Sequence, residues 1–147
     1  MKDRHKVKTA AHAILERDGM ILLARRFNTG FADGLYQMPS GHTEVDEYPV
    51  EAAAREAKEE VGVDIVLEDL ELVHASYRIN KDDHAGDYVD FYFRTTKWSG
   101  EPYIAEPEKC DQLIWAAIDE LPGETIAFIQ QVLADIRTGI PFSQIGR

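Results

Sequence analysis

One stretch of this chain can fold in very few ways. Between Tyr48 and Val61, the apolar residues Val50, Ala53, Ala54, Ala57 and Val61 recur at i, i+3, i+4, i+7 and i+11, which predicts a helix with a single apolar stripe. Gly62 follows as a C-terminal stop. The alanine content of the stripe points to close packing on a sheet. Glu56, Glu59 and Glu60 fall within an arc of about 100° roughly opposite that stripe. Like charges at this spacing cost about 0.2–0.5 kcal/mol per pair, and Arg55 and Lys58 relieve that only in part. A hard divalent cation would turn the repulsion into coordination. A solvated acidic face is the competing reading of the same pattern.

The chain has 147 residues, enough for one domain spanning 1–147. With 44% hydrophobic and 29% charged residues it can bury a core. A single cysteine, Cys110, excludes an intrachain disulfide framework and a Cys-rich zinc module. The net charge of -11 disfavours a polynucleotide tracked along a basic face. It leaves room for a small anionic substrate, because bound metal ions reverse the local field. No segment approaches the roughly 20 apolar residues that span a bilayer. The charged start, Met1 to Lys6, is followed by only a short mixed stretch, which argues against a signal peptide and for a cytoplasmic protein.

Around the helix, Val7–Leu15 and Met20–Ala24 flank Asp18-Gly19 and predict a β-hairpin. Residues 28–46, with Gly30, Gly34, Pro39 and Gly41, read as a long structured loop. Val63–Leu67, Leu70–Ile79, Tyr88–Thr95 and Leu113–Ile118 read as strands, with a polar loop from Asn80 to Asp87. In the third of these strands Val89, Phe91 and Phe93 alternate with Tyr88, Asp90 and Tyr92. Thr125–Thr138 predicts a second amphipathic helix with Ile126, Ile129, Val132, Leu133 and Ile136 inward, stopped by Gly139. Strands on both sides of one helix, with another helix at the end, imply a sheet covered on both faces.

The run from Gly41 reads Gly41-His42-Thr43-Glu44-Val45-Asp46-Glu47, then seven residues, then Arg55-Glu56-Ala57-Lys58-Glu59-Glu60-Val61-Gly62-Val63. It resembles the Nudix box, Gly-x5-Glu-x7-Arg-Glu-(aliphatic)-x-Glu-Glu-x-Gly-(aliphatic), at every fixed position. At average residue usage, seven fixed residues recur by chance in a chain this long with odds on the order of one in a million. Pro39-Ser40 stands where Pro-Gly is more usual, and Asp46 where a glycine is common; neither is a fixed position.

The resemblance implies an α/β Nudix fold: an α/β/α sandwich with a mixed central sheet and the box as loop–helix–loop. It implies hydrolysis of a diphosphate linkage with Mg²⁺ or Mn²⁺, in a nucleoside diphosphate linked to another group or in a nucleoside triphosphate. Carried over by position, Glu56, Glu59 and Glu60 would hold the metal, joined by the backbone carbonyl of Ser40 beside Gly41. Glu47 would pair with Arg55 and hold the loop on the helix, a role that suits the planar fork of arginine. A plain surface ion pair is the alternative for these two.

The reaction needs metal ions to neutralise the diphosphate and a carboxylate to accept the proton of the attacking water. Glu59 or Glu60 is one candidate for that base. Glu106 and Glu108, on the later loop, are the others, against the reading of a solvated acidic loop. A nucleobase calls for flat partners and a few hydrogen bonds. Phe27, Phe31, Tyr36 and Tyr77 are candidates for stacking, Arg25, Arg26 and Arg78 for a phosphate or sugar acid, and His42 for phosphate contact. Each of these has a core or solubility role as its competing reading. The other histidines, His5, His12, His74 and His84, show no ligand spacing, and Cys110 has no evident activating partner. Two further functions compete with a hydrolase of small nucleotides. A non-catalytic Nudix-fold nucleotide sensor is disfavoured by the intact box, and an RNA 5′-end pyrophosphohydrolase by the acidic charge. Sheet edges in such a domain allow a homodimer.

Overall fold

A ten-residue strand, β1 (Lys8–Arg17), organises the molecule. The computed structural model describes residues 2–81 and 86–147; His84 and the centre of the polar loop lie outside the described residues. After β1 come β2 (Met20–Arg26), β3 (Tyr36–Gln37), β4 (Ser40–His42) and helix α1 (Pro49–Val61). A 3-10 turn (Leu67–Asp69), β5 (Glu71–Arg78), β6 (Tyr88–Thr95), β7 (Cys110–Ala117), α2 (Ala127–Arg137) and β8 (Phe142–Ile145) complete it. The strand order is β3-β2-β1-β6-β5-β8, with β4 beside β1 and β7 beside β2. Strands β1 and β6 are parallel from Lys8↔Tyr88 to Leu15↔Thr95, β5 and β6 antiparallel, so the sheet is mixed. No described helix is long and apolar enough to cross a membrane.

The two-residue period of the strands splits the core in two. Ala11, Ala13 and Leu15 of β1, Leu22 of β2 and Phe93 of β6 meet Ala52, Ala53, Ala57 and Val61 of α1. The alternate residues Ile14, Ile21, Leu23 and Tyr92 meet Ile129, Val132 and Leu133 of α2. Both faces are therefore covered, as the α/β/α reading requires. The alanines on α1 let the helix lie close to the sheet, which brings its acidic edge near β4.

The Asp18-Gly19 turn is present, with both residues at positive φ, as a tight hairpin needs. Only Glu16↔Ile21 and Arg17↔Met20 pair across it, because β2 diverges to β7 and β3. The expected strand Val63–Leu67 is not a strand. Val63 enters the core, Asp64 makes a single bridge to Ser99, and Leu67–Asp69 coils into the 3-10 turn. The loop over 28–46 contains the short strands β3 and β4, and β8 was not foreseen. Asp90 and Tyr92, on the polar side of the expected alternation, are fully buried, because β6 lies between β1 and β5 and is covered on both faces.

Candidate active site

Helix α1 is fixed at both ends. Pro49 occupies the first turn, where its missing N–H costs nothing, and the Tyr48 amide donates to Glu51 Oε1 at 3.0 Å. At the other end Gly62 takes φ 74°, and its amide closes onto the Lys58 carbonyl at 3.1 Å. A Cβ on Gly62 would run into the Tyr103 ring. The following loop then docks on the helix end, with the Tyr103 amide donating to Val61 O and the Ala105 amide to Glu60 O, both at 3.1 Å. That docking brings Glu106 to the edge of the carboxylate cluster.

Arg55 joins the loop to the helix. Its Nε and Nη2 donate to the two oxygens of Glu47 at 2.7 and 3.0 Å, and Nη2 also donates to the His42 carbonyl at 3.0 Å. Its Nη1 reaches Glu56 Oε1 at 2.8 Å and both Glu59 oxygens at 3.4 Å. The hydrogen bonds that Arg55 donates to Glu47 and then to Glu56 raise its pKa further, and Arg55 in turn lowers that of Glu47. Glu47 also accepts from the Glu44 amide at 3.0 Å.

The three carboxylates differ. Glu60 accepts from the Ser40 amide at 2.7 Å, yet burial raises its pKa well above the ordinary value, with the charges of Glu56 and Glu106 adding to the shift. Burial also raises Glu56, against the opposing pull of Arg55. Glu59 is half-exposed. Among the described residues no three His, Cys, Asp or Glu side chains converge ready for a metal ion, since Glu56 turns to Arg55 and Glu60 to Ser40. The donor set nevertheless fits a hard cation: it is all oxygen and carries buried surplus negative charge. Residue 41 is also cleared for it, because a Cβ on Gly41 would overlap the Glu56 carboxylate. The need for glycine at 41 is thus close approach, not a left-handed turn.

Two cavities meet beside β4, sharing Arg26, Gln37 and Ser40 in their walls. The first, about 490 Å³, is lined by Glu56, Glu59, Glu60 and Glu106, with Arg25, Lys109 and Cys110 opposite. The second, about 340 Å³, is lined by Phe31, His42, Arg78, Tyr88 and Phe128, with His12 and Asp90 at its floor.

The structure sorts the sequence candidates. Arg25 lines the first cavity but is forked onto Asp111 at 2.7 and 3.1 Å. Arg26 stands where the cavities join, its Nε donating to Phe31 O at 2.6 Å. His42 and Arg78 line the second cavity, where His42 Nε2 lies 3.2 Å from Tyr88 Oη. Burial, then the charges of Lys8 and Arg78, lowers the His42 pKa. Tyr36 is a correction: it is a core residue, its hydroxyl donating to Gln112 Oε1 at 2.7 Å, and it faces neither cavity. Phe27 and Tyr77 line neither cavity, and Phe27 is half-exposed. Glu106 lies in the first cavity, whereas Glu108 is exposed and lines neither. Sequence reasoning missed Tyr88, Phe128, His12 and Asp90. Its available signal was a carboxylate between Val89 and Phe91, and an imidazole between Ala11 and Ala13, both in otherwise apolar strands.

Comparison with known proteins agrees with this geometry. The NUDIX domain family matches residues 5–136. An 8-oxo-dGTP diphosphatase from Proteus vulgaris is 28% identical over 106 residues, covering 69% of this chain and 86% of that protein. A CTP pyrophosphohydrolase from Escherichia coli is 42% identical over 55 residues, 37% of this chain and 41% of its own length. The crystal structure of a MutT NUDIX hydrolase from Burkholderia pseudomallei superposes with a TM-score of 0.79 at 28% identity, covering 88% of this chain and 98% of that one. With the box on α1, its arginine hub and a match across most of its length, the chain belongs to the NUDIX domain family and is a Nudix pyrophosphohydrolase.

Proposed function

We propose that this enzyme hydrolyses the diphosphate linkage of a small nucleotide, either a nucleoside triphosphate or a nucleoside diphosphate joined to another group. The observation that carries this reading is the pair of adjoining cavities, one acidic and one aromatic, with Ser40 in the wall between them. A diphosphate suits the first once a cation is present, and a base suits the second. Mg²⁺ or Mn²⁺, held by Glu56, Glu59, Glu60 and the Ser40 carbonyl, would neutralise the diphosphate and acidify a bound water.

The chain's own residues do the rest. Arg55 and Glu47 hold the loop against α1 and so fix Glu56 and the backbone around Ser40. Arg26 and Lys109 offer positive charge to the phosphates from the opposite wall. Water oxygen attacks phosphorus, the bond to the leaving phosphate breaks, and the water's proton passes to a carboxylate. Glu106 is the cavity carboxylate engaged neither by Arg55 nor by the Ser40 amide, its ion pair being a 3.7 Å contact with the exposed Lys109, and it takes that role.

The similar proteins named above act, by their names, on 8-oxo-dGTP and CTP, so both belong in the test panel with nucleoside diphosphate sugars, dinucleoside polyphosphates and capped RNA. Product release is followed with and without Mg²⁺ or Mn²⁺, beside a Glu59→Gln Glu60→Gln control. Metal-dependent cleavage of a small nucleotide that the control loses is the expected result. Binding without cleavage would overturn it in favour of a sensor module. Preferred cleavage of capped RNA, weakening steeply with salt, would overturn the small-nucleotide assignment.

A further inference from the structure

The floor of the second cavity holds a charged cluster that hydrolysis does not use. Asp90, fully buried on β6, accepts from His12 Nε2 at 3.1 Å, from Arg78 Nε and Nη2 at 3.1 and 3.3 Å, and from Ser76 Oγ at 3.3 Å. Burial opposes its ionisation, but the bonds and charges of His12 and Arg78 outweigh it and hold the pKa at about 2. The Arg78 guanidinium is layered between two rings, 4.4 Å from the Tyr88 centroid and 4.0 Å from that of Phe128. Its fork is thus fixed in plane by Asp90 and out of plane by the rings. Only Nη1 has no hydrogen-bond acceptor among the described residues.

This arrangement selects a kind of ligand. The charge of Arg78 is already balanced by Asp90, so Arg78 itself adds little attraction for a phosphate. What it offers is a rigid pair of N–H donors beside aromatic walls, which suits a neutral carbonyl oxygen on a flat ring. We propose that Asp90 is a positioning residue that locks Arg78, and that Arg78 Nη1 reads a ring carbonyl of the nucleobase. The enzyme thereby favours guanine, cytosine or uracil nucleotides over adenine. This rests on the reading that the second cavity takes the base.

The test compares kcat/KM for GTP, CTP and UTP with that for ATP, and for ITP with purine riboside triphosphate, which lacks the carbonyl. In the wild type, the best carbonyl-bearing substrate should exceed its carbonyl-free counterpart by at least about tenfold, the scale of one hydrogen bond from a charged donor. Arg78→Lys keeps the charge but loses the fork. It should erase most of that ratio, through a rise in KM for the carbonyl-bearing substrates that exceeds any change for ATP. Asp90→Asn should act in the same direction, and if it does not fold, Arg78→Lys carries the test alone. A wild-type ratio near one, or an equal loss on all substrates in Arg78→Lys, would overturn the proposal. If no nucleotide is cleaved, the hydrolase reading fails separately, and the same ratios are read from calorimetric Kd values of the intact triphosphates.

Discussion

In the first cavity Glu56 and Glu59 share a single guanidinium with Glu47, Glu60 accepts from the Ser40 amide, and burial pushes Glu56 and Glu60 toward the protonated form. In the second, one carboxylate, Asp90, is surrounded by donors and stays ionised down to about pH 2. Both regions bury charge beside β1, but only the first leaves it unbalanced. An unbalanced acidic pocket stores demand for a cation, which suits a site of chemistry. A balanced one holds a side chain rigid, which suits a site of recognition.

The contrast can be broken from the acidic side first. Glu60→Gln should lower kcat/KM on every substrate by about 1000-fold, a loss on the scale of other single electrostatic groups in active sites. An effect confined to some bases would contradict the division of labour. Glu106→Gln should cost about 100-fold in kcat, with little change in KM, if it takes the proton. Arg55→Lys keeps a charge but not the fork onto Glu47, and should weaken Mn²⁺ binding by about tenfold in a metal titration.

On the balanced side the expected effects are in stability. The folded pKa of Asp90, about 2, lies below the ordinary 3.8. Its contribution is therefore complete above about pH 5 and is lost as pH falls through 4 toward 2, on the order of 2 kcal/mol in all. Thermal unfolding of the wild type and Asp90→Asn from pH 6 to pH 2 should show a gap that narrows with acid. The smallest effect belongs to Glu108→Gln, which should leave kcat, KM and melting temperature unchanged. A loss there matching that of Glu106→Gln would return the base assignment to both residues.

The acidic region was far more legible in the sequence than the balanced one. Its Glu47, Arg55, Glu56, Glu59 and Glu60 lie within a short run on one helix and its preceding loop, so helical periodicity displays most of them together. Arg25, Arg26, Glu106 and Lys109 come from elsewhere in the chain. Gly62 and Gly139 are also readable as stops, because a left-handed residue after a helix favours glycine, and both take positive φ. The second cavity draws His12, Arg78, Asp90 and Phe128 from four separate elements, and no local pattern links them. Asp90 even imitated an outward residue, since alternation cannot distinguish solvent from a second buried face. The short strands β3, β4 and β8 span two to four residues, too few for any period to register.

The parallel pairing of β1 with β6 has a consequence for how the enzyme comes into being. It joins residues such as His12 and Asp90 that are 78 positions apart, and long-range pairings of this kind slow folding. Helix α1 is made before the walls around it, with Glu106 and Lys109 on one side and Arg78, Tyr88 and Phe128 on the other. A nascent chain that had emerged only through Val63 would carry the whole signature motif and neither complete cavity.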